Sequence, residues 1–418
     1  QAEPLYSRAK TILGRNVGPD HQNMAAVLNN LAGLLYRQAK YVDAEQLYLR
    51  VSEIAEKNLG PQDPIMAYIF SNRASLLRAR ARYVEAGTLY ERANKICEQF
   101  VGPEAPNTAT VLNNWAELLR LQGKYAEAEP LCARSQAIRE AVLGPEHPHV
   151  ADSLINRAEL FREQGKYAEA EPLYERSQTI REIALGLEHP DVAQSLHYRG
   201  GLLLQQGKYA EAALLNERSQ AIREKMLDAA HPELAEALHN HASIFHAQGN
   251  FTEAEPLYIR SLSILERTLG PDHPDSAIAA SNHAVWLHQL GRRSEAEPLH
   301  KRSQAIREKV LGPHHPDVAH SLRNRAVWLA CENEMYEEAE ALYIRALSIY
   351  GDAFGRDHPW VATLLDGRAW ILCQQGREAE AESLYERLQI IKEESLGPEH
   401  LEVAQLLNNW AMSMYRQV

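Results

Sequence analysis

Three sets of residues recur in this chain at spacings that could do chemistry. Gly-Lys pairs open the stretch GKYAEAEPL at Gly123 and Gly165 and its near copy GKYAEAALL at Gly207. A Gly-Lys pair ahead of a helix is part of a phosphate-binding loop. Eight histidines (His21, His147, His189, His231, His273, His315, His358 and His400) return at one turn position, usually before proline, where metal binding or catalysis could use them. Ten arginines, from Arg8 to Arg387, share one helical position, and an arginine stripe can bind anions.

Each reading needs partners that the sequence withholds. Lys124 is followed by Tyr125 rather than Ser or Thr, and the upstream glycine pattern is missing, so the phosphate loop fails. The histidines stand one repeat apart, and no His/Asp/Glu set has close metal-ligand spacing. They are expected to help start the helix that follows. The arginines share their helices with many glutamates, which predicts a lattice of ion pairs within and between repeats. No convergent nucleophile, base and oxyanion donors occur. No catalytic, cofactor-binding or metal-binding residue is therefore expected, and an enzyme is a remote alternative.

The recurrence itself is the stronger signal. Gly18, Gly60, Gly102, Gly144, Gly186, Gly270 and Gly312 lie on a 42-residue grid, and Asp228 occupies its vacant node. Gly355 and Gly397 continue it after one inserted residue in CENEMY, 331–336. This predicts one array over 1–418, with a partial unit at 1–18, 42-residue units over 19–396 and a partial unit at 397–418. Each period reads as two helices. From His147, Pro148 suits a first turn, with Val150, Ala151, Leu154, Ala158 and Phe161 at helical spacing. Gly165 breaks that helix. A second starts near Tyr167, carries Ala170, Leu173, Tyr174, Ser177 and Ile180 on its apolar stripe, and closes at Gly186 in a left-handed conformation. Two alanine columns (Ala25 to Ala404, Ala2 to Ala381), one leucine column (Leu5 to Leu384) and one isoleucine column (Ile12 to Ile391) never vary. These columns are expected to be core.

Composition sets outer limits. The 418 residues are 45% hydrophobic and 24% charged, with net charge −12. That charge argues against nucleic acid as a partner. No run of about 18 apolar residues suggests a membrane span, and no signal peptide is visible. Cys97, Cys132, Cys331 and Cys373 do not make a disulfide or zinc framework. Reduced thiols in a cytoplasmic protein are expected.

The order small–bulky–Ala, then Gly-x-Tyr, Ala, Tyr, Ser/Ala resembles the tetratricopeptide repeat. The 42-residue spacing, with HPDVA (315–319), LNNLA (28–32), QGKY (122–125) and LGP (143–145), resembles its kinesin-light-chain type, as also found beside NB-ARC switch domains. The resemblance covers essentially the whole chain. It implies an all-α, right-handed superhelical solenoid of about ten helix-turn-helix units, or about twenty helices. It also implies a protein or peptide ligand bound on the concave wall. Neither the motor-docking coiled coil nor a G-K-[ST] phosphate loop is present. Residues 1–13 read as a second helix lacking its first, and 401–416 as a first helix lacking its second. The chain thus reads as cut from a longer array, and Leu407, Trp410 and Ala411 of one molecule could stack head-to-tail on Leu5 and Tyr6 of another.

Function is sought where the copies differ. The resemblance places groove positions six and three before, and one and four after, a mid-helix alanine or glycine such as Ala116. Four after it come Arg78, Arg120 and Arg162, a local basic strip suited to acidic side chains. Glu117 and Glu159 share that wall and could neutralise it. Asn72, Asn114 and Asn156, with Asn113 and Tyr68 nearby, could bond a ligand's backbone or simply join helices. Further on, His197, His239, His246 and His288 meet Val285, Val327 and Trp370. This stretch suits a pH-sensitive or more apolar docking segment, or is a solvated face. The favoured reading is a scaffold binding an extended, acidic segment; the alternative is a structural or self-assembling array.

Overall fold

Most copies begin where a histidine meets a proline. All eight histidines of the turn column are N-caps: Nδ1 accepts the backbone N–H two residues on, at 3.1–3.3 Å. The proline that usually follows takes the first helical position, where a missing N–H costs nothing. Asp63 fills the same place through Oδ1, 2.9 Å from Ile65 N. The expectation that these histidines start helices therefore holds. What the sequence did not reveal was the means, an imidazole acting as Asp or Asn does elsewhere.

The computed structural model describes residues 2–333 and 335–415. Glu334 of the inserted turn, and the side chains of 331–333 and 413–415, among them Cys331 and Tyr415, lie outside that description. All regular elements among the described residues are helical, in two units, 1–202 and 203–418. The first unit contains α1 (Ala2–Asn16), α2 (Gln22–Arg37), α3 (Tyr41–Leu59), α4 (Pro64–Ala79), α5 (Tyr83–Ile96), α6 (Pro106–Leu121), α7 (Tyr125–Leu143), α8 (Pro148–Glu163), α9 (Tyr167–Leu185) and most of α10 (Pro190–Gln205). A π-helical stretch, Cys97–Val101, extends α5. The second unit contains the end of α10, then α11 (Tyr209–Met226), α12 (Pro232–Ala247), α13 (Phe251–Thr268), α14 (Pro274–Gln289), α15 (Arg293–Leu311), α16 (Pro316–Asn333), α17 (Tyr336–Phe354), α18 (Pro359–Gln374), α19 (Glu378–Leu396) and α20 (Leu401–Tyr415). No helix among the described residues is long and apolar enough to cross a membrane.

Helices pack as pairs, α2 on α3 through α8 on α9 in one unit and α12 on α13 through α18 on α19 in the other. First helices of successive copies also touch, as α4 with α6 and α14 with α16, so within each unit they form a shared wall. The alanine and isoleucine columns are buried through the interior copies, among them Ala128, Ala151, Ala170, Ile138 and Ile180. The leucine column departs from expectation: Leu131, Leu173 and Leu257 are only partly buried, resting against the core from the side. Gly186 also differs in detail. Its φ of 89° is positive as expected, but its ψ of 156° is extended. Left-handed helical closure would continue the turn, whereas this conformation, open only to glycine, ends α9 and sends the chain straight to the next cap.

The arginine column forms the predicted lattice. Arg134, Arg176, Arg260, Arg302 and Arg345 each pair with a glutamate of the preceding copy, at 2.5–2.8 Å. Arg134, Arg176, Arg302 and Arg345 also donate to the carbonyl of the preceding LGP-type turn, as Arg134 does to Pro103 at 3.1 Å. These links join each copy to the one before it.

Candidate functional site

The groove wall is made by first helices, and the first unit shows how its polar residues are held. Tyr68 on α4 is 58% exposed and lines a cavity of about 490 Å³ with Tyr36, Tyr48, Asn29, Asn72 and Ser75. Asn72 Nδ2 donates to Asn29 Oδ1 at 3.2 Å, and Asn114 Nδ2 to Ser71 Oγ at 3.3 Å. Both bonds reach back one copy, from α4 to α2 and from α6 to α4. Of the two meanings open to the asparagine column, the helix-to-helix one is what Asn72 and Asn114 display. Asn113 is buried rather than groove-facing, and its Oδ1 has no partner among the described residues. Asn156 is half-buried on α8.

The three arginines of the basic strip are each paired. Arg78 meets Glu117 of α6, and Arg120 meets Glu163 of α8. Arg162 grips Glu159 on its own helix with two bonds, 3.0 Å from Nε and 2.7 Å from Nη2. Tyr174 donates to the same Glu159 carboxylate. Burial acts to raise the Glu159 carboxyl, but the bonds and charge of Arg162, aided by Tyr174 and Arg120, hold it below the usual carboxylate range. At Glu163 burial wins over Arg120 and the value lies above that range. The strip is therefore an ion-pair row, with the carboxylates supplied by the wall itself.

In the second unit the same columns hold rings. His239 Nε2 shares a 3.0 Å bond with Asn282 Nδ2, and His246 bonds Gln289. His288 is half-buried on α14. In the first unit, His197 packs against the Tyr198 ring at 5.3 Å. The structure thus engages His239 and His246 separately, and no group of three metal-capable side chains occurs among the described residues. Trp370 on α18 is 40% exposed. It lines a cavity of about 570 Å³ with Val327, Tyr343, Asp366, Gly367 and Met412. Gly367 stands where most copies have asparagine. A Cβ there would lie 2.3 Å from the Tyr343 hydroxyl oxygen, so its absence lets the ring lean over α18 and shapes this cavity.

Sequence reasoning missed a buried arginine set beside the isoleucine column: Arg139, Arg181, Arg223 and Arg307. The signal was available, because this column alternates arginine with Leu265 and Tyr350 while its neighbour stays isoleucine. Two buried histidines, His241 and His300, and two half-buried ones, His283 and His320, were also missed in the second unit. Burial pushes His241 and His283 below the ordinary histidine value, and it takes His300 and His320 down to about 4.

The tetratricopeptide repeat profile matches residues 1–57, 107–183, 154–225, 233–309, 277–335 and 329–388. No curated protein matches the chain. Among solved structures, it resembles a Rap protein complexed with competence and sporulation factor: TM-score 0.55, 15% identity, covering 90% of this chain and 99% of that one. The apo form of RapI gives 0.50 and 16%, covering 68% and 98%. A proposed kinesin light chain of Podosopora anserina, with nearly identical TPR-like repeats, is 29% identical over 49% of this chain and 98% of that one, at TM-score 0.41.

Proposed function

Because the chain belongs to the tetratricopeptide repeat family, we propose that it is a scaffold holding an extended segment of a partner protein along its first-helix grooves. Proteins of this family generally act as protein-interaction scaffolds. The carrying observation is that each unit sets an exposed aromatic ring over an open groove cavity, Tyr68 in one and Trp370 in the other. Exposed aromatics beside polar groups are what binding hot spots are made of. The reading assigns no catalysis and no nucleic acid. It sets the encounter in the cytoplasm, in keeping with the buried thiols of Cys97 and Cys132.

An acidic ligand would have to exchange with Glu117, Glu163 or Glu159 rather than meet an unpaired cation. Acidic preference is thus the finer part of the proposal. Peptides selected by display against the whole chain provide the test, with affinity read by fluorescence anisotropy. Trp370→Ala or Tyr68→Ala should weaken the selected peptides about tenfold. Arg120→Glu should weaken acidic ones several-fold at modest salt. Affinities untouched by all three changes would sink the groove reading.

Head-to-tail association is the second reading, in which Leu407, Trp410 and Ala411 of one molecule stack on Leu5 and Tyr6 of another. Light scattering that stays constant with concentration would exclude it.

A further inference from the structure

The copy formed by α18 and α19 departs from the others at several positions around one cavity. Asp366 stands three before the mid-helix Ala369, a groove position, and Trp370 stands one after it. Glu378 takes the turn position that is tyrosine in most copies, such as Tyr125, Tyr167 and Tyr336. That ring can lie against the end of its first helix, as Tyr41 does beside Tyr36 with ring centres 5.9 Å apart. A glutamate there removes the ring and adds a charge.

The second-helix tyrosines change role in the same place. Tyr90, Tyr174 and Tyr258 each share a hydrogen bond with the residue one past the mid-helix alanine of their own copy: Ser75, Glu159 and Ser243. Val327 and Trp370 hold that position in the copies of Tyr343 and Tyr385, and neither side chain can accept such a bond. Tyr343, Trp370 and Tyr385 line the cavity of about 570 Å³ instead. The charged groups among the described residues lining it are two half-buried carboxylates, Asp366 and Glu378. Neither has an ion pair or hydrogen bond within the described residues. Cations near the cavity are engaged elsewhere. Lys392 pairs with Glu402 at 2.9 Å, and Arg377 pairs with Glu340 and Glu380. Arg323, at the groove position one copy earlier, lines a separate recess with His320, Tyr350 and Trp360. Burial pushes the Asp366 carboxyl up, and Lys392 and Arg323 oppose this without reversing it.

We propose that this cavity takes the cationic side chain of a basic partner segment, with the rings around Trp370 receiving it and Asp366 and Glu378 balancing its charge. The proposal rests on the groove reading and adds the chemistry of one anchor, separate from the acidic preference considered for the first unit. Aromatic faces attract cations, and a carboxylate partly withdrawn from water gains more from one than an exposed carboxylate does.

The probes are the N-acetyl methylamides of lysine and arginine, titrated into the whole methyl-labelled chain by NMR. Saturable shifts are expected at Val327, Ile371 and Met412, which border the cavity. The norleucine and citrulline counterparts, similar in length and uncharged, should give none at equal concentration. Asp366→Asn keeps the side-chain shape, and asparagine already stands in this column at Asn29 and Asn408. Combined with Glu378→Gln it should weaken binding about tenfold. Circular dichroism checks the fold of the double variant; should it not fold, Asp366→Asn alone should weaken binding about threefold. Saturation by neither cation, an equal response to the neutral counterparts, or unchanged binding in the folded variant overturns the anchor. Display-selected peptides that weaken with Trp370→Ala yet bind the carboxylate variant as tightly as the parent also overturn it and leave the groove reading intact. A display that yields no binder removes the groove reading, while the small probes still report on the cavity.

Discussion

The first and second units build their grooves from the same helix positions and treat charge in opposite ways. Four residues past the mid-helix alanine, the first unit has Arg78, Arg120 and Arg162, each met by a carboxylate of the same wall. The second unit has His246, His288, Ala330 and Cys373 at those positions. There His246 bonds the neutral Gln289 of the next copy instead of a carboxylate. Identical packing columns therefore permit an ion-pair row in one region and, at the same positions, a neutral, ring-bearing wall in the other. Groove chemistry is set by which internal partner is present, not by the residue type at one column.

The largest test of that contrast is Glu159→Ala in the first unit. Arg162 and Tyr174 would lose a shared, largely buried acceptor, and breaking one side of such a pair costs about 3–5 kcal/mol. Urea unfolding should report it, and a cost near zero would mean the ion-pair row is ornamental. Replacing Glu236, itself 53% exposed and one of two glutamates beside the buried Arg223, should cost less.

Acid should separate the units next. His300 and His320 sit near 4 in the folded second unit, against about 6.5 when unfolded. The unfolded chain thus takes up protons first, and stability falls as pH drops from about 6.5 to about 4, then levels. His300 alone accounts for about 3 kcal/mol over that window. Glu159, held below its ordinary value, keeps its contribution until pH passes below that of an unfolded glutamate. Hydrogen exchange at pH 5 against pH 7 should show protection lost first in α14–α16 and retained in α6–α9. His300→Tyr, which restores the residue common in its column, should remove much of the loss. Equal loss in both units would break the comparison.

The smallest effect concerns what the units share. His147→Ala removes an N-cap acceptor and should cost about 1 kcal/mol by thermal unfolding, while His147→Asp should cost little. A comparable change at His231 or His273 in the second unit should match it.

The repeat period, the paired helices and the alanine and isoleucine core were legible because packing demands the same residue in every copy. The partners of groove residues were not, because they depend on register between copies. Arg120 reaches Glu163, 43 residues on. Arg162 finds Gln205 at that spacing and turns instead to Glu159 on its own helix. Arg78 finds Leu121 there and takes Glu117. Counting along one helix shows that Asn113 is near the groove but not that it faces inward.

The cross-copy links have a consequence for how such a gene can change length. Arg134 reaches back 36 residues to Glu98 and 31 to Pro103, and Asn114 reaches back 43 to Ser71. None of these links spans more than about one period, so unequal crossing-over that duplicates or excises a whole period recreates the same kinds of link at the new junction.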